Sequence, residues 1–165
     1  MDSYIKLSYR AIEYYLDKKS YLKDFPDEFK EKTRGIRVKI EKDGILKGIS
    51  GSIYPTRENL GLDIVYETIN AAFFDRQYRP IEKSNYKDFD LTIYEYYDVK
   101  KIQFIEDFLA YDGIMVNFLD ENYFFYRKDY ESDRKMFEDA IKKANIDSWD
   151  KFSIDKFKVK VHRWL

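Results

Sequence analysis

The stretch GIRVKIEKDGILKGIS does most to limit what this chain can fold into. Ile36, Val38 and Ile40 alternate with Arg37, Lys39 and Glu41, which is the period of a strand with one buried face. Asp43-Gly44 follows, a dipeptide that accepts the positive φ of a tight hairpin turn. Residues 45–49 are then the return strand, and a loop follows around Tyr54-Pro55. A hairpin commits the chain to a sheet with a face to cover.

The covering helices are legible from their spacing. Residues 3–19 read as a helix capped by Ser3, with Ile5, Ser8, Ile12, Tyr15 and Leu16 on one face. Residues 23–32 are charged and hold Pro26, so they read as a linker or a short broken helix. Residues 61–75 read as a second helix. Leu62, Val65, Ile69 and Ala72/Phe73 form its stripe, with Glu67 and Asn70 off it. Pro80 disfavours helix at Arg79 and closes the segment.

Residues 90–97 alternate again, with Leu91, Ile93 and Glu95 on one side. Residues 102–109 are ambiguous between a strand end and a short helix. GIMVNFLDENYFFYRKDY reads as a second hairpin turning at Asp120-Glu121-Asn122. Residues 131–145 form a late helix with Met136, Phe137, Ala140, Ile141 and Ala144 inward. Phe157, Val159 and Val161 alternate with Lys158, Lys160 and His162 in a closing strand. No βαβ rhythm and no internal repeat is present. The expected class is α+β: a mostly antiparallel sheet built from hairpins with flanking helices, with room for a small second lobe. At 165 residues the simplest organisation is one domain over residues 1–165.

Composition excludes several chemistries. There is no cysteine, so disulfides, thiolate nucleophiles and cysteine-bound metals are out. The single histidine, His162, precludes a multi-histidine metal site within one chain, and no metal ligand set is marked. It is expected to be exposed, on the polar side of its strand. Thirty basic and 31 acidic residues give a formal net charge of −1, which creates no global field for nucleic acid or anionic lipid. The N-terminus, MDSYIKLSYR, has no apolar signal core, and no apolar run approaches the ~20 residues of a membrane span. A cytoplasmic protein is expected. Most of its 16 Tyr and 13 Phe are expected to pack the core and its edge.

Two segments carry candidate chemistry. Gly48 and Gly51 bracket Ile49-Ser50 on the return strand. This is no Walker loop, because Lys47 precedes its glycine and no Gly-Lys-Ser/Thr follows. It is no dinucleotide fingerprint, because no helix starts directly after Gly51. Glycines in a strand mark a bulge or a close backbone approach, to another segment or to a ligand. Lys47, Ser50, Arg57, Arg76 and Arg79 supply anion contacts if the two loops meet. Asp75, at the end of an apolar helix face, opposes the helix dipole and needs a partner. It reads as half of an ion pair with Arg76 or Arg79, or as a positioned acid or base. Phe124-Phe125-Tyr126-Arg127-Lys128 mixes aromatics and cations as single-strand binders do, and equally as a strand leaving a hairpin does.

The order of these features resembles the AMMECR domain family over residues 30–160. The family signature Leu-Arg-Gly-Cys-Ile-Gly is matched by Leu46-Lys47-Gly48-Ile49-Ser50-Gly51. Its Asp-Pro-Arg-Phe-x-Pro-Val segment, after a helix ending in Ala-Ala, is matched by Ala71-Ala72-Phe73-Phe74-Asp75-Arg76-Gln77-Tyr78-Arg79-Pro80-Ile81. Its His-Gly step is matched by Asp112-Gly113, and its late Lys-Ala-Gly by Lys143-Ala144-Asn145. The chain is thus similar to a diverged member, akin to the A protein of the AmmeMemoRadiSam system. Lys47, Ile49, Gln77 and Asp112 stand where the family has Arg, Cys, Arg and His. If family chemistry uses that thiol or imidazole, this chain does not perform it in the same way.

The resemblance implies a component of a modification pathway, enzyme or accessory subunit, with Memo-like and radical-SAM proteins as partners. It names no cofactor. The expected site is a small anionic-ligand pocket between the 48–51 loop and the 75–80 turn. There Lys47, Gly48, Ser50, Gly51, Arg76 and Arg79 bind and Asp75 is the candidate acid or base. The competing reading is a non-catalytic module for protein or nucleic acid, centred on the strand at Phe124.

Overall fold

The computed structural model describes residues 1–147 and 150–164. Its elements are α1 (Ser3–Lys18), β1 (Gly35–Lys42), β2 (Ile45–Gly51), α2 (Leu60–Ile69), β3 (Asp90–Ile102), β4 (Gly113–Phe118), β5 (Glu121–Tyr126), α3 (Asp133–Lys143) and β6 (Ser153–Arg163). Six strands lie in the order β2-β1-β3-β6-β4-β5. The pairs β1–β2, β1–β3, β4–β5 and β4–β6 are all antiparallel. The fold is α+β, as hairpins interleaved with amphipathic helices require.

The chain divides into two compact units. One is Met1–Tyr96 together with the C-terminal residues from Lys160; the other is Tyr97–Val159. In the first, Ile36, Val38, Ile40, Leu91 and Ile93 face Ile5, Leu7, Ile12, Ile64, Val65 and Ile69 in one buried cluster. The second has its own core of Phe108, Ile114, Val116, Phe125, Met136, Ala140 and Ile154. α1 and α3 each bury one stripe, whereas α2 is buried on nearly every side, so packing stabilises these helices more than propensity does.

Several local expectations are corrected, and two that the sequence leaves open are resolved. The cap of α1 is Asp2, whose carboxylate accepts the Tyr4 N–H at 2.9 Å, and Ser3 is the first helical residue. The second helix is regular only to Ile69 and continues as a π-helical turn over Asn70–Phe74. Glu67, expected off the apolar stripe, is 8% exposed. The second hairpin turns at Leu119-Asp120, both at positive φ, one residue earlier than the polar triplet suggested. Residues 23–32 hold a 3-10 turn at Asp27–Phe29, anchored by buried Phe25 and Phe29. Residues 105–107 form another such turn.

The largest reversal is in β6. Val161 is exposed and His162 is 2% exposed, the opposite of the alternation read from sequence. The reason is electrostatic: His162 meets two carboxylates, described below. No helix among the described residues is long and apolar enough to cross a membrane.

Candidate functional site

The site grows from the edge strand β2. Its register with β1 steps from Gly48 opposite Ile40 to Leu46 opposite Glu41, which leaves Lys47 as the extra residue of a bulge. Bulges re-aim side chains and bend an edge. Gly48 is buried against the π-helical turn. A Cβ there would lie 2.0 Å from the Ala71 carbonyl oxygen, so only glycine fits. Gly51 has φ +130° and presses on the Ile36 carbonyl, with 1.9 Å left for a Cβ.

The second segment reaches the first through Asp75. Asp75 Oδ2 accepts the Ile49 N–H at 3.0 Å, and Oδ1 accepts the Gln77 N–H at 3.1 Å. One carboxylate thus satisfies an edge-strand donor and shapes the turn that follows the π-helical segment. The Tyr78 N–H donates to the Asp75 carbonyl at 3.1 Å, closing that turn. Neither Arg76 nor Arg79 pairs with Asp75, so of the two readings offered by the sequence the ion pair gives way to backbone bracing. The side chains of Lys47, Arg76 and Arg79 make no hydrogen bond or ion pair among the described residues. Lys47 is half-buried, and both arginines are exposed.

A polar network lies on the core side of β2. Ser50 Oγ donates to Glu67 Oε2 at 2.5 Å. Arg57 Nη1 donates to Glu67 Oε1 at 2.8 Å and to Asp63 Oδ1 at 3.2 Å. Thr56 Oγ1 donates to the same Asp63 oxygen at 2.6 Å. The Arg57 guanidinium lies 4.2 Å from the centre of the Tyr66 ring, and Tyr21 stacks on Tyr66 at 4.1 Å. Two buried acids one turn apart on α2 are thereby matched by one cation and two hydroxyls, as burial of charge demands. A groove of about 610 Å³ opens beside Arg57, with Lys23, Lys30, Leu62 and Tyr66 on its walls. Lys47, Arg76 and Arg79 are not among its wall residues.

Of the residues singled out from sequence, the structure brings residues 48–51 and Asp75 into contact and turns Ser50 toward the helix. Asp63 and Glu67 were missed. Their i, i+4 spacing within an apolar helix was the available signal, since like charges so placed require a shared cation. The strand at Phe124 belongs to the other unit. There Phe125 is 5% exposed and Phe124 half-buried, while Arg127 is bound to Asp133 at 2.5 Å.

This architecture matches known proteins. The AMMECR1 family model covers residues 5–162. The chain belongs to the AMMECR1 family. It is 26% identical over 176 residues to Protein CA_C1420 of Clostridium acetobutylicum, covering 98% of this chain and 36% of that protein. It therefore spans about a third of the curated relative's length. Its fold is that of an uncharacterized protein, PH0010, from Pyrococcus horikoshii, with TM-score 0.71 and 18% identity over 96% of this chain and 88% of that one. Within this AMMECR1 domain, Gly48, Gly51 and Asp75 shape the backbone joint, and the side chains of Lys47, Ile49 and Gln77 take no part in it.

Proposed function

We propose that this AMMECR1 domain serves a modification pathway as an enzyme or accessory subunit, and binds a small anion where the 48–51 segment meets the 75–80 turn. One contact carries the reading: Asp75 Oδ2 on the Ile49 N–H at 3.0 Å joins the segments that bear Lys47, Arg76 and Arg79. Three cations near one joint, without counter-ions among the described residues, favour a phosphate or carboxylate ligand. In this reading Asp75 positions the loop rather than transferring a proton, because both of its oxygens already accept backbone donors. Gly48 and Gly51 let backbone approach backbone, and Ser50 holds Glu67. The partners proposed are Memo-like and radical-SAM proteins, through the family resemblance.

A thermal-shift series with inorganic pyrophosphate, citrate, magnesium and a short oligonucleotide tests this. Stabilisation by the small anions, lost in Lys47→Ala/Arg79→Ala, is the expected result. Stabilisation by oligonucleotide alone, abolished by salt, would replace it with the non-catalytic module.

A further inference from the structure

His162 is the one histidine of the chain, and both of its ring nitrogens face carboxylates. Nδ1 lies 2.8 Å from Asp2 Oδ2 and Nε2 lies 3.0 Å from Glu95 Oε2. A neutral imidazole carries a single N–H, whereas an ionised carboxylate only accepts. Two such contacts are satisfied together when both nitrogens carry protons. A neutral ring would leave a lone pair against a carboxylate oxygen inside a site where His162 is 2% and Glu95 7% exposed.

The surroundings reinforce this. The Tyr4 ring stacks on the imidazole at 3.7 Å and 12°, a geometry that favours a cation. The other charged groups facing the ring come from each packed element. Asp2 and Tyr4 come from the start of α1, Glu95 from β3, and Arg34 from the segment before β1, 3.7 Å from Glu95. Glu28 acts on Tyr4 from the 3-10 turn. With imidazolium the set Asp2, Glu95, Arg34 and His162 is neutral. With neutral imidazole one negative charge stays uncompensated.

We propose that His162 is a protonation-controlled clasp that holds the cap and first turn of α1 to β3 and β6, and releases them when the ring loses its proton. Asp2 is the hinge of the device, because its other oxygen caps α1 through the Tyr4 N–H. Met1 and Trp164, which flank the two ends of the clasp in sequence, both line a groove of about 650 Å³ with Tyr9 and Phe89. Release of the clasp loosens two walls of that groove. The inference is independent of the anion site.

The sign of the effect follows from the site. Burial pulls the imidazole pKa down, but its hydrogen bonds to Glu95 and Asp2 and their charges outweigh this and raise it above the ordinary value. Both carboxylates are held below theirs: burial pushes them up, and the His162 contact overrides it. The clasp's contribution is complete near and below the unfolded histidine value of about 6.5 and is lost as pH rises through the folded value. At the acid end it is lost as the carboxylates protonate.

The test is a pH titration followed by nuclear magnetic resonance. The ring signals of His162 give its titration curve directly, and protection of the α1 first-turn amides is followed in parallel. The clasp predicts a midpoint above about 6.5 with protection of α1 falling several-fold through that midpoint. His162→Gln should remove this pH dependence while leaving that of the rest of the chain. A midpoint at or below the ordinary value would overturn the proposal, as would α1 protection unchanged across the titration. If His162→Gln does not fold, the wild-type curves decide.

Discussion

The joint at Gly48 and the clasp at His162 both tie distant segments together, and they do so with opposite materials. At Gly48 the deciding atoms are backbone but for one carboxylate: a missing Cβ against the Ala71 carbonyl, and an Ile49 N–H held by Asp75 Oδ2. At His162 they are ionisable side chains drawn from residues 2, 95 and 162. Apart from Asp75, the joint tolerates change in its side chains, whereas a side-chain clasp tolerates little. The contrast implies that the joint makes no demand on the side chains of Lys47, Ile49 and Gln77. It also predicts that only the clasp responds to mild changes of pH.

The strongest attempt to break that contrast is Gly48→Ala. The new methyl meets backbone on the facing segment, which has no rotamer with which to yield. The expected cost is about 3 kcal/mol, or a fall in Tm on the order of 6–12 °C for a chain of this size, read by calorimetry. An unchanged Tm would show that the glycine is not a packing requirement.

Next in size is Glu67→Ala. It leaves Ser50 and part of the Arg57 guanidinium without an acceptor, while Asp63 still holds that arginine. A loss of about 2 kcal/mol is expected from the urea midpoint. A loss as small as that of an exposed residue would mean that the network reorganises around Asp63.

Asp75→Ala sharpens the contrast directly. Two backbone donors lose their acceptor, and half-burial keeps the expected cost to about 1–2 kcal/mol. Because no imidazole takes part, this deficit should be equal at about pH 6 and about pH 8, whereas that of His162→Gln shrinks as pH rises. Equal pH responses for the two variants would erase the distinction. Smallest is Lys47→Ala, which should change stability by under about 0.5 kcal/mol and be visible only in the response to anions.

Legibility from sequence follows the same division. The first hairpin was readable because Asp43-Gly44 states its own turn geometry, and φ at Asp43 and Gly44 is indeed +53° and +75°. The stripe of α1 was readable from helical spacing. The second hairpin was misplaced because its turn uses Leu119-Asp120, and leucine at φ +50° carries no turn signal. The π-helical turn at Asn70–Phe74 could not be read, since Ala71 and Ala72 suit a regular helix and Gly48, distant in sequence, shapes the packing there. His162 was read as exposed because strand alternation knows nothing of Asp2 and Glu95. Charged residues far apart in sequence reveal such a cluster only when the fold is closed.

The anion site is tested most directly by amide resonances of the intact chain during titration with inorganic pyrophosphate. The account predicts saturable shifts confined to residues 47–51 and 75–79, weakened in Lys47→Ala, with the His162 ring unmoved at constant pH. Absence of saturable shifts in those two segments, or shifts centred on the strand at Phe124, would contradict it.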